Sequence, residues 1–382
     1  MKNQGALAGI TVLDLSRLLP GPFCSMILAD HGARVIAIES KKFKADGLYL
    51  KSINRNKAHM SLDVNTPAGK AIFLHLVQKA DVVMEGFRPG VARRLGIDYE
   101  AVSRVNPEII YCSITAYGQT GPYRDRVGHD VNCLAISGVL NLIGEKDRPP
   151  AIPGIQLADM AGGGLNAAIG ILLALFARQV TGKGQYIDIS MTDGMVGMLP
   201  VALFLRELSG EDPPRSDSFL SHRYACYNTY ETADGRSLCI GAVEHRFWKN
   251  FCETVGRPDL IALQFDEGRR QEVIDDLRQM FMEKPLSHWQ AVFGQRDICW
   301  APIHDLSAVC QDAHLRQRKM LIDIEEKKGQ TATALGVPIK LSQTPGSIRT
   351  PAVDFGENTR QILLQWGYSE QEVAEWETKG VI

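Results

Sequence analysis

Residues 9–39 read GITVLDLSRLLPGPFCSMILADHGARVIAIE. The first seven positions form a largely apolar run with β-branched Ile10, Thr11 and Val12, and they run into a turn at Leu19-Pro20-Gly21-Pro22. Phe23, Met26, Ile27 and Leu28 then recur with helical spacing until His31-Gly32 stops them. ARVIAIE at 33–39 is a second apolar run of strand length. Strand, helix, strand within about thirty residues is the unit of a parallel sheet, because parallel strands need a crossover and a helix is the usual one.

Working outward, the same texture continues. The pattern predicts a helix over 67–78, a strand over 80–84, a helix near 91–95 and a strand over 109–115. The expected fold class is α/β, with a mainly parallel, Rossmann-like sheet. The first turn lacks the GxGxxG that lets backbone approach a pyrophosphate and carries PGP instead. No GxxxxGK[ST], GxSxG or HExxH occurs, so nicotinamide oxidoreductases, P-loop NTPases, α/β-hydrolases and zincins lose their main support. From Asp159 to Gln179, DMAGGGLNAAIGILLALFARQ predicts a glycine-rich entry into a helix apolar nearly all round and therefore buried. A turn at 181–184 leads to a strand over 185–191. Polar, Pro-containing residues at 210–221 read as a linker, after which 227–232 and 237–243 bracket Ala233-Asp234-Gly235 as a hairpin. Amphipathic stretches at 247–255 and 271–281 complete an expected small α+β domain over 216–325. A large domain over 1–215 is expected to be rejoined by 326–382.

The chain's 382 residues carry 42 Lys and Arg against 44 Asp and Glu, and 45% are hydrophobic, a composition that sets aside disorder. The near-neutral balance without a dense cationic block argues against nucleic acid as partner. The eight cysteines form no CxxC pair and read as reduced, mostly buried thiols. The N-terminus lacks a signal-peptide layout, and the longest apolar run, 167–177, is too short to span a bilayer. The expected location is the cytoplasm, with no membrane partner.

Three groups have the chemistry for a site. Asp159 precedes Ala161-Gly162-Gly163-Gly164, where helix-start N–H groups stabilise a carboxylate. Three glycines weaken a helix by roughly 1 kcal/mol each relative to Ala, so the segment needs its backbone close to something, a ligand or another helix. His129, in Gly128-His129-Asp130, is the residue type best suited to carry a proton at neutral pH. Glu244 ends the strand predicted over 238–243. Spacing alone does not connect the three, and each also has a plain structural reading as a cap, a core histidine or a solvated turn acid.

Several longer segments resemble a known family: 7–39, MEGFRPGV at 84–91, AYGQTGPY at 116–123, GHDVNCLAISGVLNLIG at 128–144, 157–191, ADGRSLCIGAVEHRFW at 233–248, and LGVPIKLSQTPG and LLQWGYSEQEV near the C-terminus. They resemble the family III CoA-transferase and racemase group (CaiB/BaiF-like), on its racemase branch, over almost the whole chain. The resemblance implies an interlocked homodimer, with CoA between the large domain of one chain and the small domain of the other. It implies that His129 and Asp159 are the two acid/base residues of a racemase, with Glu244 partnering the histidine. Inverting the carbon beside a thioester carbonyl requires removing a proton on one face and returning one on the other. The enolate formed between those steps would be stabilised by N–H groups of the glycine-rich helix start. The resemblance also implies CoA contacts from Ser61, Leu62, Asp63 and Val64, from Arg88, and from Gly128, Asp130, Val131, Asn132 and Cys133 beside His129. Arg55 and Lys57 are nearby cations for its phosphates. Ser40 stands where the family has a CoA-binding arginine, with Lys41 or Lys42 as substitutes. No metal or redox cofactor is expected. The alternatives are a CoA-transferase, with Asp159 as nucleophile and no role for His129 or Glu244, and a non-catalytic CoA-binding dimer.

Overall fold

The computed structural model describes residues 5–46, 49–325 and 331–382. The predicted opening unit is present as β1 (Thr11–Asp14), α1 (Pro20–Asp30) and β2 (Arg34–Glu39). A third strand, β3 (Lys57–Ser61), follows, then α2 (Pro67–Val77), β4 (Val82–Glu85), α3 (Val91–Leu95), α4 (Tyr99–Val105) and β5 (Ile110–Thr115). Local signals set these boundaries. Pro67 sits in the first turn of α2, and the Thr66 side chain accepts the Gly69 N–H at 3.0 Å. Helix α5 (Asp130–Ile136) leads to a π-helical segment, Ala158–Leu165, which continues into α6 (Asn166–Thr181). Gly182, in the left-handed region at φ +64°, ends that helix before β6 (Gln185–Ser190) and α7 (Met191–Val196).

All six strands pair in parallel in the order β3-β2-β1-β4-β5-β6. The order reverses between β1 and β4, so the connections leaving their C-terminal ends diverge and open a crevice there. One face of the sheet presents Leu13, Ile36, Val83 and Tyr111 to Phe73 and Leu76 of α2 and Val102 of α4. The other face is covered by α1 and α6. Strand β3 went unseen in the sequence because KAHMS looks polar, yet Lys57, His59 and Ser61 are all buried.

The chain divides into two compact units. The first comprises residues 1–139, 153–198 and 313–382 and holds the parallel sheet. The second comprises 140–152 and 199–312, which moves the boundaries expected at 215/216 and 325/326. Arg215 explains one shift: its guanidinium donates to the carbonyls of Asn141 and Arg148, binding 140–152 to the linker. Strand pairing explains another, since Leu321–Glu325 is hydrogen-bonded to Thr331–Leu335, whose last carbonyl accepts from Arg55 of the first unit.

The second unit contains α8 (Pro200–Ser209), the expected hairpin β7 (Tyr227–Glu231) and β8 (Ser237–Gly241), α9 (His245–Thr254), α10 (Arg270–Met282) and α11 (Leu286–Phe293). Strand β9 (Trp300–Pro302) adds antiparallel to β8, and α12 (Leu306–Gln311) follows. Trp248, Phe251, Phe281 and Phe293 form its aromatic core. The first unit resumes with α13 (Ala313–Gln317), the hairpin β10 (Leu321–Glu325) and β11 (Thr331–Leu335), α14 (Thr359–Gln365) and α15 (Glu370–Thr378).

Two expectations for the glycine-rich helix are corrected. The continuous helical run Ala158–Thr181 has 24 residues and contains an 18-residue stretch of mean hydropathy 1.8, so by length and composition it reaches bilayer-spanning size. It is also not buried all round: Ala167, Ala168, Ile171 and Ala174 pack inward, whereas Ile169, Leu173, Phe176 and Val180 are exposed.

Candidate active site

At the C-terminal ends of β1, β4 and β5 the crevice is a cleft of about 440 Å³. Asp159 and His129 both line it, Asp159 from the first turn of the π-helical segment and His129 from the N-cap of α5. The His129 N–H donates to Asn132 Oδ1 at 3.0 Å, fixing the turn that carries the imidazole. The Asp159 N–H donates to Asp130 Oδ1 at 3.0 Å, which joins the two elements. Burial, and then the neighbouring Asp130 carboxylate, push the Asp159 carboxyl up to about 6, with His129 pulling the other way. Gly128, Asn132 and Arg88 also face the cleft, which thus gathers four of the sequence-predicted residues beside Asp159.

The three glycines answer the question the sequence left open. A Cβ on Gly162 would lie 2.5 Å from the Met191 carbonyl oxygen, one on Gly163 2.8 Å from Pro20 Cβ, and one on Gly164 2.7 Å from Phe23 Cδ1. They are there for helix packing: all three are buried and seat the π-helical segment against α1 and α7. The glycines themselves are buried against these helices, and at the start of the stretch the Asp159 N–H is bonded to Asp130.

The expected phosphate cations are corrected as well. Arg55 is 4% exposed and its guanidinium is forked onto Asp30, Nη2 to Oδ2 at 2.7 Å and Nε to Oδ1 at 3.1 Å. Lys57 is 3% exposed and its ammonium donates to the Pro22 carbonyl at 2.7 Å and Asn54 Oδ1 at 3.1 Å. Both charges are spent inside the fold. Ser61 is held at the strand end by its N–H on Thr359 Oγ1, and Asp63 Oδ1 accepts the Asn65 amide, so neither side chain lines the cleft. Cys133 is buried with its Sγ 3.5 Å from the Ala116 carbonyl oxygen, and Val131 and Asp130 do not line the cleft.

Leu62 and Val64 line a second hollow of about 190 Å³ on the other side of the crevice, with Ser40, Lys42, Phe43 and Arg94. Arg17 and Phe87 line both spaces. Arg17, Arg94, Arg124 and Arg126 are site residues that the sequence reading missed. Arg17 carried a signal, since it follows β1 directly at the end of the strand. It bonds Glu39 and lies 3.8 Å over the Phe43 ring. Its neighbour Leu18 adopts φ +65°, a strained conformation for a side-chain-bearing residue, at the lip of the cleft.

Glu244 belongs to the second unit, where it is exposed at the N-cap of α9 and makes no side-chain capping bond. Among the described residues no group of three or more His, Cys, Asp or Glu side chains is placed to hold a metal.

Comparison with known proteins extends the geometry. The model of CoA-transferase family III matches residues 7–359. A human α-methylacyl-CoA racemase is 36% identical over 99% of this chain and 97% of its own length. A succinyl-CoA:mesaconate CoA-transferase of Haloarcula hispanica is 33% identical over 95% of this chain and 97% of its own. The crystal structure of a CaiB/BaiF family protein from Brucella suis superposes with a TM-score of 0.83 at 29% identity, covering 95% of this chain and 100% of that one. With a match over nearly its whole length and a six-stranded parallel sheet in common with such neighbours, this chain belongs to CoA-transferase family III.

Proposed function

We propose that the protein is a racemase or epimerase of 2-methyl-branched acyl-CoA thioesters. His129 and Asp159 remove and return the α-proton on opposite faces of the carbon through an enolate. The observation that carries this reading is the meeting of the two groups in one cleft from separate elements, with the Asp159 carboxyl raised to about 6. A carboxyl at its ordinary value would be a weaker base for an α-proton and a poorer donor back to the enolate at neutral pH. Glu244 is assigned as the acid that partners His129, on the resemblance to the racemases. CoA lies along the crevice with its adenosine against Leu62 and Val64, its phosphates near Lys42, Arg94 and Arg17, and its thioester between His129 and Asp159. The proton transfer itself needs no metal or redox group. The protein acts as a homodimer, supported by the apolar stripe along α6 that the single chain leaves uncovered.

The test is incubation with one enantiomer of a 2-methylacyl-CoA in deuterated water. Deuterium at the α-carbon together with loss of optical purity is expected. A second reading is a CoA-transferase in which Asp159 attacks the thioester, forming an anhydride and then an Asp159-linked CoA thioester before CoA passes to a carboxylate. Transferases matched at nearly the identity of the racemase favour it. No exchange, with CoA transfer to a carboxylate acceptor that Asp159→Asn abolishes, would establish that reading instead.

A further inference from the structure

A third hollow, of about 290 Å³, lies beside Tyr111 and Tyr186 near the starts of β5 and β6, and reaches Glu85 at the end of β4. The Rossmann-like sheet has two halves about the β1/β4 crevice. The first half carries the Leu62–Val64 hollow, and the third hollow occupies the second half. Its lining includes three tyrosines in mutual contact: Tyr111 and Tyr186 stack with centroids 5.9 Å apart, and Tyr99 lies 5.8 Å from Tyr186 and 6.3 Å from Tyr111. Tyr111 is 1% exposed and its hydroxyl has no hydrogen-bond partner, a costly arrangement that a buried polar group rarely keeps without a function. Beside it Glu85 is buried, its carboxylate accepting only the Ser113 hydroxyl and the Phe87 N–H, and burial lifts its carboxyl to about 7. On one wall Asp98 starts α4 without a side-chain capping bond. Arg88, Arg93 and Arg124 also line the hollow and form no ion pair among the described residues.

We propose that this hollow is a second ligand site, separate from the thioester cleft, that takes a planar ring able to donate hydrogen bonds and carrying an anion: the chemistry of a purine nucleoside monophosphate. The ring packs on Tyr99 and Tyr186 and gives its N–H groups to Asp98 and Glu85, with the Tyr111 hydroxyl bonded to the ring edge. The phosphate meets the guanidiniums of Arg93, Arg88 and Arg124, the last two of which stand between this hollow and the cleft. Occupancy of the site stands whether the cleft racemises or transfers CoA.

The test is calorimetric titration of the whole protein with AMP in the presence of saturating CoA, repeated on Arg93→Gln and Tyr111→Phe. Neither residue lines the cleft. AMP is expected to bind one site per chain at that CoA concentration. Arg93→Gln is expected to weaken it about tenfold and Tyr111→Phe severalfold, the scale of one charge-assisted and one neutral hydrogen bond. Melting temperatures without AMP check that both variants fold, and Tyr111→Phe, which removes an unsatisfied hydroxyl, is expected to melt no lower than the wild type. No binding at millimolar AMP, loss of all AMP binding on adding CoA, or wild-type affinity in both folded variants would overturn the proposal.

Discussion

At the residue scale, the raised Asp159 carboxyl gives the proposed chemistry a signature in pH. Inversion in either direction needs one proton on the His129–Asp159 pair: on the imidazole when the carboxylate is the base, on the carboxyl when the imidazole is. Both forms carry the same number of protons, so kcat/KM for the two enantiomers is expected to follow one bell-shaped profile. Its acid limb falls as a second proton loads the pair, near pH 6 where the Asp159 carboxyl sits, about tenfold per pH unit. A nucleophilic Asp159 would give the acid limb without the basic limb, so rates measured from each enantiomer between pH 4 and 10, on the order of six pH units, separate the mechanisms. His129→Ala is expected to lower racemisation by about 10²–10⁴-fold with CoA affinity largely kept, and Glu244→Gln to lower it in the same way. Near-normal inversion in both variants would remove the two-base assignment. The place of Asp159, His129 and Arg88 at one cleft was readable from motifs because each follows a turn with a fixed local pattern. Arg55 and Lys57 misled for a physical reason: a cation near a site in sequence is free for phosphate only if no partner sits closer, and the Asp30 carboxylate and Pro22 carbonyl do. The two cations are told apart by substitution. Arg55→Ala is expected to cost about 3–5 kcal/mol of stability, because it strands the buried Asp30 charge, while Arg94→Gln is expected to weaken CoA binding and leave the melting temperature unchanged.

At the element scale, the parallel units were legible because period, length and stop signals agree in β1, α1, β2 and α2, while β3 was not, because its alternating polar residues read as a solvated loop. The burial of two of them is made tolerable by partners elsewhere in the chain, His59 Nδ1 accepting the Gly356 N–H and Lys57 donating to the Pro22 carbonyl, which no local pattern discloses. The glycine stretch marked an unusual helix correctly and left its purpose undecided. In the structure the wider π-helical turn sets Asp159 toward the cleft while the glycines let α1 and α7 approach. Gly162→Ala therefore brings a methyl to 2.5 Å from a main-chain oxygen, which has little freedom to move. The expected cost is about 1–3 kcal/mol of stability, read as a fall in melting temperature, and a larger loss of activity than the fall in folded fraction explains, since the same turn positions Asp159. Gly154→Ala, where a Cβ meets nothing within 4 Å, is the control and is expected to change neither.

At the scale of the whole molecule, the decisive feature is the outward stripe of α6. Ile169, Leu172, Leu173, Phe176 and Val180 are 42–83% exposed and fall on one side of the helix, while Ala167, Ala168, Ile171, Ala174 and Leu175 on the other side are buried. In the second unit, helix α8 leaves Val201, Leu203, Phe204 and Leu208 exposed, with no residue of its own buried. A folded chain that leaves so many large apolar side chains in water keeps a strong drive to cover them, by a second copy or by lipid. The buried side of α6 argues for the copy. It packs on β5 and β6 of the sheet, so entry into a bilayer would pull a core helix out of the first unit. Light scattering of the purified protein in buffer without detergent is expected to give twice the mass of the chain at micromolar concentration. Replacing Phe176 and Val180 together by Glu places two charges in the proposed contact without touching the inward residues, so the variant is expected to run as a monomer and to lose activity with it. A wild-type monomer in plain buffer, or a protein that sediments quantitatively with vesicles, would assign this face to something other than a second copy.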